Sequence, residues 1–166
     1  AIELQKKYSG GKNIENAFQT NGTKLNDDWC TFFKDNNILV GISIDGTEKN
    51  HDHYRKTASG GPTFRAVMRG IELLQKHRVE FNTLSVVNDY NVSMARETYR
   101  FLKQIGSVFM QFLPVVERIS DTVDDTELKL VAPLHGKARV APWTVDPEDY
   151  GRFLITIFDE WVRNDV

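Results

Sequence analysis

The sequence predicts an α/β fold, a parallel sheet of about four strands with flanking helices. Three observations predict it. Short apolar runs of period two alternate with longer stretches of helical period. Each apolar run ends in a polar or turn group, as strands of such sheets do where they meet a ligand face. The 166 residues suit one domain, which buries roughly 70% of the surface its unfolded chain exposes.

Residues 1–8 read as the tail of a helix, closed by Gly10 and Gly11. Residues 13–20, NIENAFQT, read as a strand ending in Asn21-Gly22. Asn26 is a good N-cap for a helix over 27–36, with Asp27 and Asp28 at the positive end of its dipole. Residues 38–44, ILVGISI, form a buried strand that ends in Asp45-Gly46, and 46–61 reads as a polar loop. Pro62 suits the first turn of a helix over 62–77, which carries Phe64, Val67, Met68, Ile71 and Leu74 at helical spacing. A third strand spans 79–87, and a helix over 91–105 closes on Gly106. A fourth strand spans 108–115, and 116–145 has no period, so it is expected to be an irregular loop or insertion. Asp146 caps and Pro147 opens a last helix, with Phe153, Leu154, Ile157, Phe158 and Trp161 on one stripe.

Composition narrows the function classes. Lys plus Arg is 21 and Asp plus Glu is 23, a net charge of -2. No bulk field is aimed at nucleic acid or at an anionic membrane. No apolar run reaches the ~20 residues that span a bilayer. Cys30 is the only cysteine, so neither an intrachain disulfide nor a Cys-rich metal or cluster site arises from this chain alone. Its apolar surroundings, DDWCTFF, read as a structural thiol. Ala1 already sits in a helical pattern and the last residues are still helical, so residues 1–166 are expected to be one domain cut from a longer protein.

Polar residues gather at the strand ends. Period two places Ser43 and Asp45 on one face of their strand and Ile42 and Ile44 on the other. The same rule gives Gln19 and Asn21 a common face, and it puts Gln111 mid-strand in the barrel interior or beneath the site. A row of such groups suggests a polar cavity, since each buried polar group without a partner costs about 1–3 kcal/mol. Asn21-Gly22 and Asp45-Gly46 are also ordinary turn dipeptides, and Gln19 and Gln111 can satisfy neighbouring backbone. In His51-Asp52-His53-Tyr54-Arg55 the two histidines, with Asp45, Glu48 and Asp52, suit a zinc or iron site. A solvated loop with one useful side chain reads better. Arg55 is that side chain, because a guanidinium holds a carboxylate bidentately.

The run QTNGTKLNDDWCTFFKDNNILVGISIDGTEKNHDHYRK resembles the anaerobic sulfatase-maturating enzymes, members of the radical S-adenosylmethionine (SAM) superfamily with a SPASM extension. The resemblance continues through TFRAVMRGIELLQKHRVEFNTLSVVN and FLKQIGSVFMQFLPVVER and resumes at PEDYGRFLITIFDEW, weakening between 119 and 145. It implies a partial TIM-like (β/α) barrel, of which this chain holds the C-terminal part.

The resemblance also implies roles. Ser43, of SIDG, bonds the SAM carboxylate and Arg55, of HDxxR, is its ionic partner. The backbone of Val116 meets the adenine, and Gln19 and Asn21 face the substrate peptide or the SAM sugar. The implied reaction of the full-length protein oxidises a cysteine or serine of a nascent sulfatase to Cα-formylglycine in the cytoplasm. It uses SAM and a [4Fe–4S] cluster whose ligands, like the catalytic residues, are absent from this chain. The isolated piece is therefore expected to be inactive. A different SPASM-type peptide maturase and a non-catalytic sulfatase regulator with a barrel fold are the alternatives. The first strand is expected to be an exposed edge, open to self-association.

Overall fold

A computed structural model describes residues 1–120 and 138–165. Helix α1 (Ile2–Tyr8) precedes β1 (Asn16–Thr20), α2 (Asp27–Asp35), β2 (Ile38–Ser43), α3 (Glu48–Tyr54) and α4 (Phe64–Lys76). Then follow β3 (Phe81–Val87), a 3-10 turn (Val92–Met94), α5 (Ala95–Gln104) and β4 (Met110–Pro114). The short strands β5 (Arg118–Ile119) and β6 (Arg139–Val140) precede α6 (Pro147–Asp165). The four main strands form one parallel sheet in the order β1-β2-β3-β4, flanked by helices, as the sequence predicts. Among the described residues β1 is the terminal strand of that sheet. No described helix is long and apolar enough to cross a membrane.

Contacts divide the chain into two compact units, one comprising Ala1–Ser85 and Phe101–Gln111. In this unit strand pairing follows from alternation. Val40, Ile42 and Thr83 are fully buried, as are Phe33, Ile71 and Leu74 of α2 and α4. The intervening residues belong to the opposite face, where Gln19 lies level with Gly41 and Gly41 level with Asn82. Asn26 starts α2 as expected, its Oδ1 accepting from the Trp29 N–H at 2.9 Å. Phe18 of β1 stacks with Trp29 and packs on Phe33, with ring centroids 6.2 and 5.3 Å apart.

The second unit comprises Val86–Arg100 and the described residues from Phe112 onward. Its core holds Val87, Ala95, Val145 and Phe153, with Phe112, Tyr150 and Ile157 packed against them. Asp146 caps α6 by accepting from the Glu148 and Asp149 N–H groups. Glu160, buried on α6, accepts from Arg96 at 2.6 Å and Arg100 at 3.1 Å, one helical turn apart on α5. Of the expected stripe on α6, Phe153 and Ile157 face the core, while Leu154, Phe158 and Trp161 are exposed.

Two expectations need correction. The stretch 46–61 is not all loop, since it contains α3. Pro62 does not open a helix. It bridges to Lys56, and α4 begins two residues later because Asp52 supplies the cap. Within 116–145 the two-residue strands β5 and β6 pair antiparallel, and residues 121–137, most of the expected loop or insertion, lie outside the described part.

One close approach fixes α4. A Cβ on Gly70 would lie 2.5 Å from the Gly22 carbonyl oxygen. Gly22, at φ +71°, is the turn after β1, and the clashing atom is its backbone oxygen, which cannot swing aside as the end of a flexible side chain could. Gly70→Ala is expected to lower stability by about 2–3 kcal/mol through overpacking. Gly151→Ala, in α6 where nothing lies within 4 Å, is expected to raise it by about 0.5–1 kcal/mol. Urea unfolding of the two variants checks both signs.

Candidate functional site

The site is built on the connection from β2 to α4. Ser43 ends β2, half-buried, and the chain turns through Asp45-Gly46 into α3. Asp45 is 3% exposed. A carboxylate so placed needs a cation. Arg55, the residue that ends α3, provides it, with Nε 2.5 Å from Asp45 Oδ2. A guanidinium has five N–H donors, and Asp45 takes one of them.

His51 ties the two ends of this pair together. Its ring is 1% exposed. Nδ1 accepts from the Asp45 backbone N–H at 3.3 Å, which leaves the proton on Nε2. Nε2 meets Thr63 Oγ1 at 3.0 Å, and that hydroxyl donates to the Arg55 carbonyl at 2.7 Å. Burial pushes the His51 imidazole below its ordinary value of 6.5, and Arg55 acts the same way against the opposite pull of Asp45 and Asp52. The neutral ring is thus the form the network requires. Asp52 Oδ1 accepts from the Thr63 and Phe64 N–H groups at 2.8 and 2.9 Å, capping α4 from a distance. The three named positions of HDxxR therefore act together, as link, cap and cation. Both ring nitrogens of His51 are engaged, and no described cluster of His, Cys, Asp or Glu is placed to hold a metal. His53 packs edge-on against Tyr54.

Two of the cavities in this unit are lined by these residues and their neighbours. One of about 190 Å³ is lined by Asn21, Thr23, His51, Arg55, Thr63 and Val67 among others, so Arg55 and Asn21 share a wall. Asn21 Oδ1 also accepts from the Thr23 N–H and hydroxyl, closing its own turn. The other, of about 270 Å³, lies on the polar face of the sheet, where Gln19, Asn82 and Gln111 meet Gly41, Leu39 and Leu84. Gln19 and Asn21 thus open into different cavities. Period two stops at Thr20, where β1 ends, and Asn21 follows the turn instead. Ser43 lines neither cavity.

Asn82 is the residue that the sequence reading passed over. Its Oδ1 is buried without a partner and lies 3.2 Å from where a Gly41 Cβ would stand. A polar residue in the strand run FNTL was the available signal. Asp45, which period two places on the face of Ser43, anchors Arg55, a pairing the sequence does not announce. Val116 belongs to the second unit and is 70% exposed. Beside it Glu117 accepts from the Trp143 indole N–H. The polar end of β3 serves its own turn: Asn88 and Asn91 accept from each other's backbone N–H, and Asn91 Nδ2 donates to the Val86 carbonyl.

Two outcomes follow for this network. Asp45→Asn is expected to cost about 1.5–3 kcal/mol, the worth of a hydrogen bond to a charged group left half-made. Urea unfolding reads it. Because the folded state holds His51 neutral, the unfolded chain binds the extra proton below pH 6.5. Stability is therefore intact above that value and falls on acidification by about 1.4 kcal/mol for each unit until the lowered value is reached. A His51→Gln variant is expected to lose this part of the acid dependence between pH 7.5 and 5.5.

Known proteins are similar to this chain in sequence and fold. The family model of the radical SAM superfamily matches residues 1–102. A serine-type anaerobic sulfatase-maturating enzyme of Bacteroides thetaiotaomicron is 52% identical over 167 aligned residues, covering 100% of this chain and 40% of the relative. A cysteine-type enzyme of Clostridium novyi is 37% identical, over 98% of this chain and 40% of its own. The solved structure of native anSMEcpe with bound AdoMet superposes with a TM-score of 0.80 at 31% identity, over 98% of this chain and 41% of that one. The form that also holds the Cp18Cys peptide gives 0.81 at 31% identity, over 98% and 42%. The chain thus spans about 40% of the length of these curated relatives. Its parallel sheet and its likeness along the whole length to the anaerobic sulfatase-maturating enzymes agree with the matched model: this chain belongs to the radical SAM superfamily.

Proposed function

We propose that this chain is the SAM-gripping portion of a cytoplasmic radical SAM enzyme that, as a whole protein, oxidises a cysteine or serine of a sulfatase to Cα-formylglycine. The observation that carries the reading is the Arg55 guanidinium, held by buried Asp45 two residues beyond Ser43, at the C-terminal end of a parallel strand. Ligands of parallel α/β sheets bind at that end.

The residues present fit SAM. The N–H donors of Arg55 not taken by Asp45 form a fork for the methionine carboxylate, and the Ser43 hydroxyl adds a further donor. SAM, when bound, supplies the hydrogen-abstracting chemistry. The chain's own work is orientation: a carboxylate fixed at two points cannot swing, so the rest of the ligand is presented in one pose. The backbone at Val116 is assigned to the adenine. Gln19 and Asn21 are assigned to the substrate peptide or the SAM sugar. Carboxamides offer both a donor and an acceptor, which suits a peptide backbone.

A [4Fe–4S] cluster does not fit the described residues. Cys30 is buried on α2, and burial pushes its thiol up, away from the thiolate a cluster ligand needs. Cluster and catalytic residues are therefore assigned to other parts of the whole protein.

The test uses the full-length protein, prepared without oxygen, with SAM and a sulfatase peptide carrying cysteine or serine. An aldehyde trapped by a hydrazine probe on that residue is the expected product; an unmodified peptide of both kinds overturns the reading. Ser43→Ala is expected to weaken SAM binding about fivefold and Arg55→Met at least tenfold. Calorimetry showing both variants unchanged removes these residues from the cofactor site.

A further inference from the structure

We propose that His51 is a positioning residue for the carboxylate of the bound amino-acid ligand, acting through Thr63 and Arg55 without touching the ligand. The inference rests on the reading that Arg55 grips that carboxylate.

The geometry carries it. Arg55 follows a helix of seven residues, Glu48–Tyr54, whose last turn holds its N–H on the His51 carbonyl at 3.0 Å but leaves its own carbonyl without a helical partner. Its side chain is fixed at one point, Asp45. Its backbone is fixed by a relay that starts from the same aspartate. The Asp45 N–H donates to His51 Nδ1, His51 Nε2–H donates to Thr63 Oγ1, and the Thr63 hydroxyl donates to the Arg55 carbonyl. The relay has one direction. Reversing any donor would set two acceptors or two donors against each other. The Asp45 backbone and the Arg55 carbonyl are thus held at a fixed separation by one rigid ring and one hydroxyl. That separation determines where the guanidinium fork points once its Nε is on Asp45.

Thr63 shows that the relay is a dedicated arrangement. It is the N-cap residue of α4, where a threonine hydroxyl ordinarily accepts from the helix N–H groups. Here it makes no such bond, and Asp52 takes over the cap. The hydroxyl is thereby released to link His51 to Arg55. A purely structural histidine would not need the cap displaced to reach it. His51, Thr63 and Arg55 line the same cavity, so the relay runs along one of its walls.

The experiment compares two ligands in the full-length protein with its cluster in place: SAM, and decarboxylated SAM, which keeps the nucleoside, sulfonium and amine but lacks the carboxylate. Dissociation constants are measured by calorimetry for His51→Ala, His51→Gln, Thr63→Val and Arg55→Met. His51→Ala and Thr63→Val are expected to weaken SAM about tenfold and to leave decarboxylated SAM within twofold of the parent. His51→Gln, which can accept at one atom and donate at another, is expected to recover most of the loss. Equal loss for both ligands makes His51 a stability residue and overturns the inference, as does no loss for either. Thr63→Val keeps the question open to refutation if His51→Ala does not fold. Arg55→Met separates the two levels. If it weakens SAM selectively while the His51 and Thr63 variants do not, this inference alone fails. If it does not, the reading of Arg55 fails with it.

Discussion

A carboxylate buried to 3% exposure must find a positive partner, and in this chain that requirement organises the whole connection from β2 to α4. Asp45 lies just past the sheet and Arg55 ten residues on. Their pairing forces the intervening chain into a compact return, and α3 is the form the return takes. Once Arg55 is placed, its carbonyl, Thr63 and Asp52 define where α4 begins. Helix α4 in turn carries Val67, Ile71 and Leu74 into the core of the first unit. The polar network thus marks where this apolar helix starts, while its close approach to Gly22 fixes how it packs.

The two faces of the sheet in that unit divide the labour. The face of Val40, Ile42 and Thr83 is fully buried and gives the unit its cohesion. The other presents Gln19, Asn82 and Gln111 around a glycine whose missing side chain leaves room beside Leu84 and Asn82. Amides on a sheet face do little for stability, and the unpartnered Asn82 oxygen works against it. Such a face makes sense as a wall that meets ligand.

Much of this was legible in the amino-acid order. The strands and the longer helices announce themselves by period, and Asn26 and Asp146 by their place before helical runs. Helix α3 did not, because EKNHDHY has no apolar stripe and its inward residues are Asn50 and His51. A periodicity argument counts such residues as solvent-facing, and only tertiary partners reveal otherwise. The start of α4 was misread for a related reason: its cap comes from Asp52, eleven residues before Thr63, and no local pattern shows that. Arg55 stands out by its chemistry and Asp45 by its face, but their pairing across ten residues is not written in either motif. Asn82 is marked in the sequence only as a polar residue within a strand run, and strand register is what sets it beside Gly41.

The contact between Gly70 and the carbonyl of Gly22 has a consequence for how such a protein diverges. Only Gly70 answers to that steric fact: a side chain there would lift α4 away from the turn after β1, whereas a Cβ on Gly22 would meet Ile42 and Val67 at ordinary distances. Gly22 is kept by its φ of +71°, which strains any residue with a side chain. Descendants should therefore retain the two glycines for separate reasons, one steric and one conformational, and drift at either does not license drift at the other.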